Sequence, residues 1–207
     1  MKYLIPFLLA SLMNFAHAEE VSYKITFEAN FTKTAHPGDK FPSDPHFSPL
    51  VGASHNAEYS MYQMGSMATR GVKNVAETGN PSALLSELAD LMSSSIVKDS
   101  DRGSRVEETG STSVTLKVSK EFPLISVITM IAPSPDWVVG VTGYSLLEDG
   151  EFIKKREIPL FAIDAGTDGG KYYTSPNRVK NEPISLLIDV AGNSIKNPFG
   201  TLTIEML

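Results

Sequence analysis

The sequence has 207 residues and no cysteine, with 18 Lys and Arg against 24 Asp and Glu and a formal net charge of −6. That balance argues against a nucleic-acid partner and against electrostatic docking on anionic lipid. Without cysteine there is no disulfide, no thiolate metal site and no Cys nucleophile.

Residues 1–18 have the form of a secretory leader. Lys2 supplies the positive start, Tyr3–Phe15 is mostly apolar, and Ala16-His17-Ala18 is a small-x-small cleavage site before Glu19 and Glu20. The apolar stretch is too short for a membrane span. Cleavage after Ala18 would leave residues 19–207 as one domain with enough chain for a sizeable core. The expected location is therefore secreted or periplasmic, and the leader is excluded from fold reasoning.

Val21–Phe31 alternates, with Tyr23, Ile25, Phe27 and Ala29 on one side and Ser22, Lys24, Thr26 and Glu28 on the other, as in a half-buried strand. Thr34–Pro49 holds four prolines and reads as loop. Residues 48–67 fit either a short strand or a turn of helix. Residues 80–95 predict a helix: Asn80 as N-cap, Pro81 in the first turn, and Leu84, Leu85, Leu88, Leu91 and Met92 on one apolar face.

Lys98–Gly110 is charged and reads as a solvated connection or an edge hairpin, with Arg102 beside Asp99 and Asp101 arguing against a metal site there. From Ser111 the chain predicts strand after strand. Val114, Leu116 and Val118 alternate, while Leu124–Ala132 is nearly continuous apolar, as in a strand buried on both faces. Val138–Leu147 and Phe152–Phe161 flank the turn signal Glu148-Asp149-Gly150 and read as one hairpin. Ile184–Val190 is a further strand candidate, and Leu202, Ile204 and Met206 alternate in the last one. Many strands, one clear helix and no βαβ rhythm predict an antiparallel β-sandwich.

The hairpin reading has a chemical consequence. Gly150 stands 14 residues after Asp136 and 14 before Asp164, so a chain that turns at Gly150 returns Asp164 to the side of Asp136. Asp168 follows within one short Gly-containing loop. Three carboxylates at one sheet end, with no Lys or Arg inside Ala132–Trp137 or Asp164–Asp168, require protons or a cation. Ca²⁺ suits carboxylate and loop-carbonyl oxygens. Aspartate is also a common turn former, and on spacing alone both readings of Asp136, Asp164 and Asp168 stand. Trp137, the single Trp, is expected to anchor the hairpin in the core.

Catalytic signatures are sparse. The sequence has no Gly-x-Ser-x-Gly elbow, no His-Glu-x-x-His and no Gly-rich phosphate loop. His36, His46 and His55 sit in or beside a proline-rich stretch that favours loop hydrogen bonds over metal ligation. A hydrolase using the acidic cluster is the alternative class, and a binding protein is the expected one.

Pro133-Ser134-Pro135-Asp136-Trp137 with Val139-Gly140-Val141, then Asp164-Ala165-Gly166-Thr167-Asp168-x-Gly170 and Tyr173-x-Ser175-Pro176-Asn177, resemble the spondin domain of the F-spondin and mindin family. His36-Pro37, Phe47–His55 and the run from Gly65 through Gly71-Val72-Lys73 to Ala76-Glu77 are similar too, so the resemblance spans roughly residues 21–190. It implies an all-β, C2-like antiparallel sandwich of about eight strands with one or two short helices. It also implies a calcium ion held at one end by Asp136, Asp164 and Asp168. A further family metal-site glutamate falls on Lys117 here and does not carry over. The animal members contain cysteines and thrombospondin-type repeats, whereas this sequence has no cysteine and reads as the sandwich alone, as in a bacterial exported homologue. What the family implies is adhesion or recognition, with a cell-surface glycan or protein as partner. A purely structural calcium-stabilised module is the other reading. No nucleic acid and no membrane span are expected.

Overall fold

The alternation that opens the chain becomes the centre of a sheet. A computed structural model describes residues 19–207 apart from 38, 39, 190 and 194, so the leader lies outside the described residues. Strand β1 (Glu20–Asn30) buries Tyr23, Ile25 and Phe27 completely. It is flanked by β6 (Thr109–Ser119) and β14 (Gly200–Met206), and β11 (Lys155–Leu160) closes that four-stranded sheet in the order β11-β14-β1-β6. All pairings in it are antiparallel.

The second sheet is built on β7 (Leu124–Ala132). On one side β7 pairs with β8 (Trp137–Ser145), which continues to β12 (Ile163–Asp164) and β13 (Ser185–Leu186). On the other side two pieces share its length. One is β3 (Val51–His55), with β4 (Val97–Arg102) beyond it; the other is β2 (His46–Phe47), with β5 (Val106–Glu107) beyond it. Among the described residues eight strands reach five residues or more; β2, β5, β12 and β13 are two-residue pieces, as are β9 (Leu147–Glu148) and β10 (Glu151–Phe152).

Two cores explain why β3 and β7 are buried on both faces. Ile125, Val127 and Ile131 point into the space between the sheets, with Phe27, Leu116 and Val139. Ile128, Val51 and Ala53 point outward, where α1 (Arg70–Thr78) and α2 (Ser82–Ser93) cover them with Val72, Val75, Leu84 and Leu88. Gly52 faces the inner core so closely that a Cβ there would lie 2.8 Å from a Val114 methyl. The molecule is thus a sandwich with a helical layer on one outer face.

The helix expected at 80–95 is α2. It begins one residue later than expected: Pro81, not Asn80, takes the N-cap position without a side-chain cap bond, its carbonyl accepting from the Leu85 amide, while Asn80 Oδ1 accepts from the Ser82 amide at 2.9 Å. Met92, placed on its apolar face from the sequence, is exposed. The preceding helix α1 was not foreseen. Its signals are nonetheless ordinary: Thr69 caps the Val72 amide, Val72, Val75 and Ala76 form the buried face, and Gly79 ends it at φ +67°. Its first turn is completed by Glu87 of α2, which accepts from the Gly71 amide at 2.7 Å, a carboxylate on a helix N-terminus.

The long hairpin about Gly150 is corrected by the structure. Asp149 and Gly150, both at positive φ, do form the turn, yet only β9 and β10 pair across it. Beyond them the arms part: β8 stays in the second sheet while β11 pairs with β14 in the first. Ile184–Val190 shortens to β13, with residue 190 outside the described set. The charged 98–110 stretch begins with a true edge strand, β4.

Candidate metal centre

Asp136 sits where β7 hands over to β8. The Ala132–Pro133 bond is cis, and Ser134 Oγ accepts from the Trp137 amide at 3.0 Å. This tight connection leaves Asp136 fully buried. After its passage through the other sheet the chain re-enters beside β8 as β12, with Ile163 opposite Val138 and Asp164 opposite Trp137. The Ala165 amide donates to the Asp136 carbonyl at 3.2 Å. Asp164 therefore does return to Asp136, by strand re-entry rather than by a continuous hairpin.

The loop that follows turns its amides onto Asp136. Gly166 adopts φ +75°, and a Cβ there would stand 2.1 Å from the Glu182 carbonyl oxygen, so only glycine fits. Past it, the Thr167 and Asp168 amides donate to Asp136 Oδ2 at 2.7 and 3.0 Å. Asp136 Oδ1 is buried and has no hydrogen-bond partner among the described residues. Asp164 Oδ1 accepts from the Gly166 amide at 2.7 Å. Asp168, nearly buried, accepts from the Gly170 amide at 2.8 Å and the Arg178 amide at 3.1 Å.

The three acids thus gather in one loop cluster, but not as a closed cage. Among the described residues, no group of three or more His, Cys, Asp or Glu side chains stands in a metal-holding arrangement. A cation unforeseen from the sequence stands at the cluster: Lys180 Nζ lies 3.6 Å from Asp164 Oδ2 and 2.9 Å from Glu182 Oε2. Burial works to lower the Lys180 pKa, and the Glu182, Asp164 and Asp136 carboxylates outweigh it, so the ammonium is held above its usual range. Asp136 moves further. Burial, then the Asp164 charge, push its carboxyl up to about 6, against the two amides that favour the ionised form, with Asp168 adding to the push. A buried carboxylate with one bare oxygen and acidic neighbours fits the oxygen-donor chemistry of a hard cation.

Asp164, Asp168, Lys180 and Glu182 face an open cleft of ≈ 780 Å³, lined also by Trp137 and Arg178 among others, while Asp136 is fully buried and is not part of its lining. Trp137 is buried as expected, its ring 5.1 Å from that of Tyr173. The three histidines serve separate local roles. His36 stacks on Phe199, with ring centroids 3.7 Å apart; His46 bonds the Asp44 carbonyl; and His55 is buried between Asn56 and Ser126. Lys117, on β6, has its ammonium 3.7 Å from Glu20.

Comparison with known proteins places the chain in a family. The Spondin_N family model matches residues 21–203. Spondin-2 of Rattus norvegicus is 32% identical over 180 residues, covering 85% of this chain and 54% of its own. Spondin-1 of Gallus gallus is 31% identical over 192 residues, covering 84% of this chain and 24% of its own. The chain spans about half the length of Spondin-2 and about a quarter of that of Spondin-1. With the family match covering most of the chain, and the two aspartate-bearing motifs at one end of a β-sandwich, the protein belongs to the Spondin_N family.

Proposed function

We propose that this protein is an exported recognition module in which Ca²⁺ organises the loop cluster at one end of the sandwich, and that it acts by binding a cell-surface glycan or protein rather than by catalysis. The observation that supports the ion most directly is the bare, buried Asp136 Oδ1 beside a second acid. Asp136 and Asp164 would be the primary ligands. Asp168 would contribute through lone pairs left over from its two amide bonds, and loop carbonyls would add further oxygens. The ion would stiffen the 164–182 loops and present a fixed surface. An exported bacterial homologue with a leader cleaved after Ala18 is the setting this reading assumes. No helix among the described residues is long and apolar enough to cross a membrane.

A second reading has its own support. Lys180, with a proton on Asp136, could compensate the cluster without a metal, leaving a structural module. Isothermal titration with Ca²⁺ separates the two. On the first reading wild type releases heat and its melting temperature rises in millimolar Ca²⁺ and falls back with chelator, since a ligand of the native state stabilises it by mass action. Asp136→Ala and Asp168→Ala then lose the heat and the shift. A wild type with neither heat nor shift removes the calcium reading and leaves the second. Turnover of a hydrolase substrate panel, abolished in Asp164→Asn, would overturn both.

A further inference from the structure

Beside the carboxylate cleft lies a second one of opposite character. It has a volume of ≈ 740 Å³, and Lys40, Phe41, Trp137, Lys171, Tyr173 and Lys196 are among the residues that wall it. Such a volume falls in the range of about 300–1,000 Å³ in which compact organic ligands are held. In a chain of net charge −6, its charged lining among the described residues is Lys40, Lys171, Lys196 and Asp189. Asp189 is committed to its own turn: Oδ1 accepts from the Ala191 and Asn193 amides, both at 2.8 Å, and those bonds hold the carboxyl below its usual range. Among the described residues none of the three lysines makes an ion pair with another side chain. Lys40 Nζ instead rests over the Tyr172 ring, 3.6 Å from its centroid.

The floor is rigid and aromatic. Tyr173 packs against Trp137, Phe31 and Phe41 with centroids 5.1, 5.2 and 6.3 Å apart. Trp137 lines this cleft and is 7% exposed, yet among the described residues its indole N–H has no acceptor. A buried indole donor with no acceptor among the described residues, in the lining of a cleft that also carries three ammonium groups without a carboxylate partner among those residues, describes a site for oxygen-rich anions. Resting on the reading of the domain as a binding module, we infer that this cleft binds an acidic saccharide, a sugar ring bearing carboxylate or sulfate. The apolar face of such a ring takes the place of Lys40 over the Tyr172 ring, and its acidic group meets Lys171, Lys196 and the displaced Lys40. A bare inorganic anion makes no use of the aromatic floor. A nucleic-acid strand would run out of the cleft onto an acidic protein, where its phosphates are repelled.

Trp137 is the only Trp, so its emission reports on this floor. The test titrates the full chain with oligogalacturonate as the carboxylate probe and a heparin-derived oligosaccharide as the sulfate probe. Maltooligosaccharide and polyphosphate are the controls, each run in chelator and again in Ca²⁺. The expected result is a saturable emission change with one or both acidic sugars and none with maltooligosaccharide. The affinity should weaken with salt and fall by about tenfold or more, the equivalent of roughly 1.4 kcal/mol, in Lys171→Gln with Lys196→Gln. Tyr172→Ala should weaken the sugars and leave any polyphosphate signal unchanged. No saturable binding of either acidic sugar, equal binding of the neutral sugar, or indifference to the lysine substitutions overturns the inference. So does polyphosphate binding as tight as the sugars. Sugar binding that persists in chelator upholds this site even if calcium titration fails. A positive calcium titration with no sugar binding removes this site alone.

Discussion

Asp136 carries an electrostatic cost that the rest of its loop is arranged to limit. Two amides satisfy one oxygen, and nothing in the described structure satisfies the other. Its folded-state pKa of about 6 lies above the unfolded value near 3.8, so between those limits the folded chain retains a proton that the unfolded chain has released. The stabilising contribution of that proton is present at low pH and is lost as pH rises through about 6. In chelator, the urea-unfolding free energy of wild type should therefore fall relative to Asp136→Asn between pH 4 and 7, by on the order of 2 kcal/mol. Ca²⁺ should remove that relative loss. Parallel profiles for the two proteins would show that Asp136 is not strained. His55 contributes with the opposite sign. Burial holds its pKa down, so it takes stability away as pH falls through the unfolded value near 6.5, equally in both proteins. Gly166 offers a geometric test: Gly166→Ala forces a side chain into the Glu182 carbonyl at a positive φ. It should cost about 2 kcal/mol or more and abolish calcium heat, as read by chemical denaturation and titration.

At the scale of elements, the separation of the arms beyond Gly150 and the closing of a sheet edge are linked features. A strand order that sends β11 to one sheet and β8 to the other ties the two sheets covalently at that end. At the other margin the sheets are joined by side chains. Asp99 and Asp101 on β4 accept from the Lys117 and Thr115 amides of β6 at 2.9 and 2.8 Å, and Ser54 Oγ donates to the Lys117 carbonyl at 2.6 Å. These bonds occupy the outward row of β6, which would otherwise be an open template for another chain. Asp99→Ala with Asp101→Ala should cost about 1–3 kcal/mol and increase self-association, as followed by denaturant midpoint and light scattering. Unchanged stability and a monodisperse solution would mean that the edge is protected some other way. From the sequence these two aspartates read as solvated, because their partners are backbone groups 18 and 14 residues on, which no side-chain pattern announces.

For the whole molecule, the shared sheet decides cooperativity. β7 gives Ile125 and Ile131 to the inner core and Ile128 to the outer one, so neither core can open without disturbing the same strand. Leu88→Ala, in the fully buried outer core, should cost about 2–5 kcal/mol and lower the melting temperature of a single transition, leaving calcium affinity intact. Two resolved transitions in calorimetry would show that the helical layer unfolds on its own.

The alternation in β1, β6 and β14, the doubly buried β7 and the apolar face of helix α2 were legible from the sequence, because each is a local pattern read against a fixed period. So was the meeting of Asp136 and Asp164, although by a path the spacing misdescribed. Equal spacing about a turn says that two residues can meet, not which strands pair on the way. Helix α1, the departure of β11 to the other sheet, Lys180 beside Asp164 and the lysine-walled cleft were settled only by tertiary structure. Each depends on which surfaces bury one another, a balance of many weak contacts between residues far apart in the chain. By itself the order of amino acids determined the strands and the acids at their ends, and packing decided what stands opposite them.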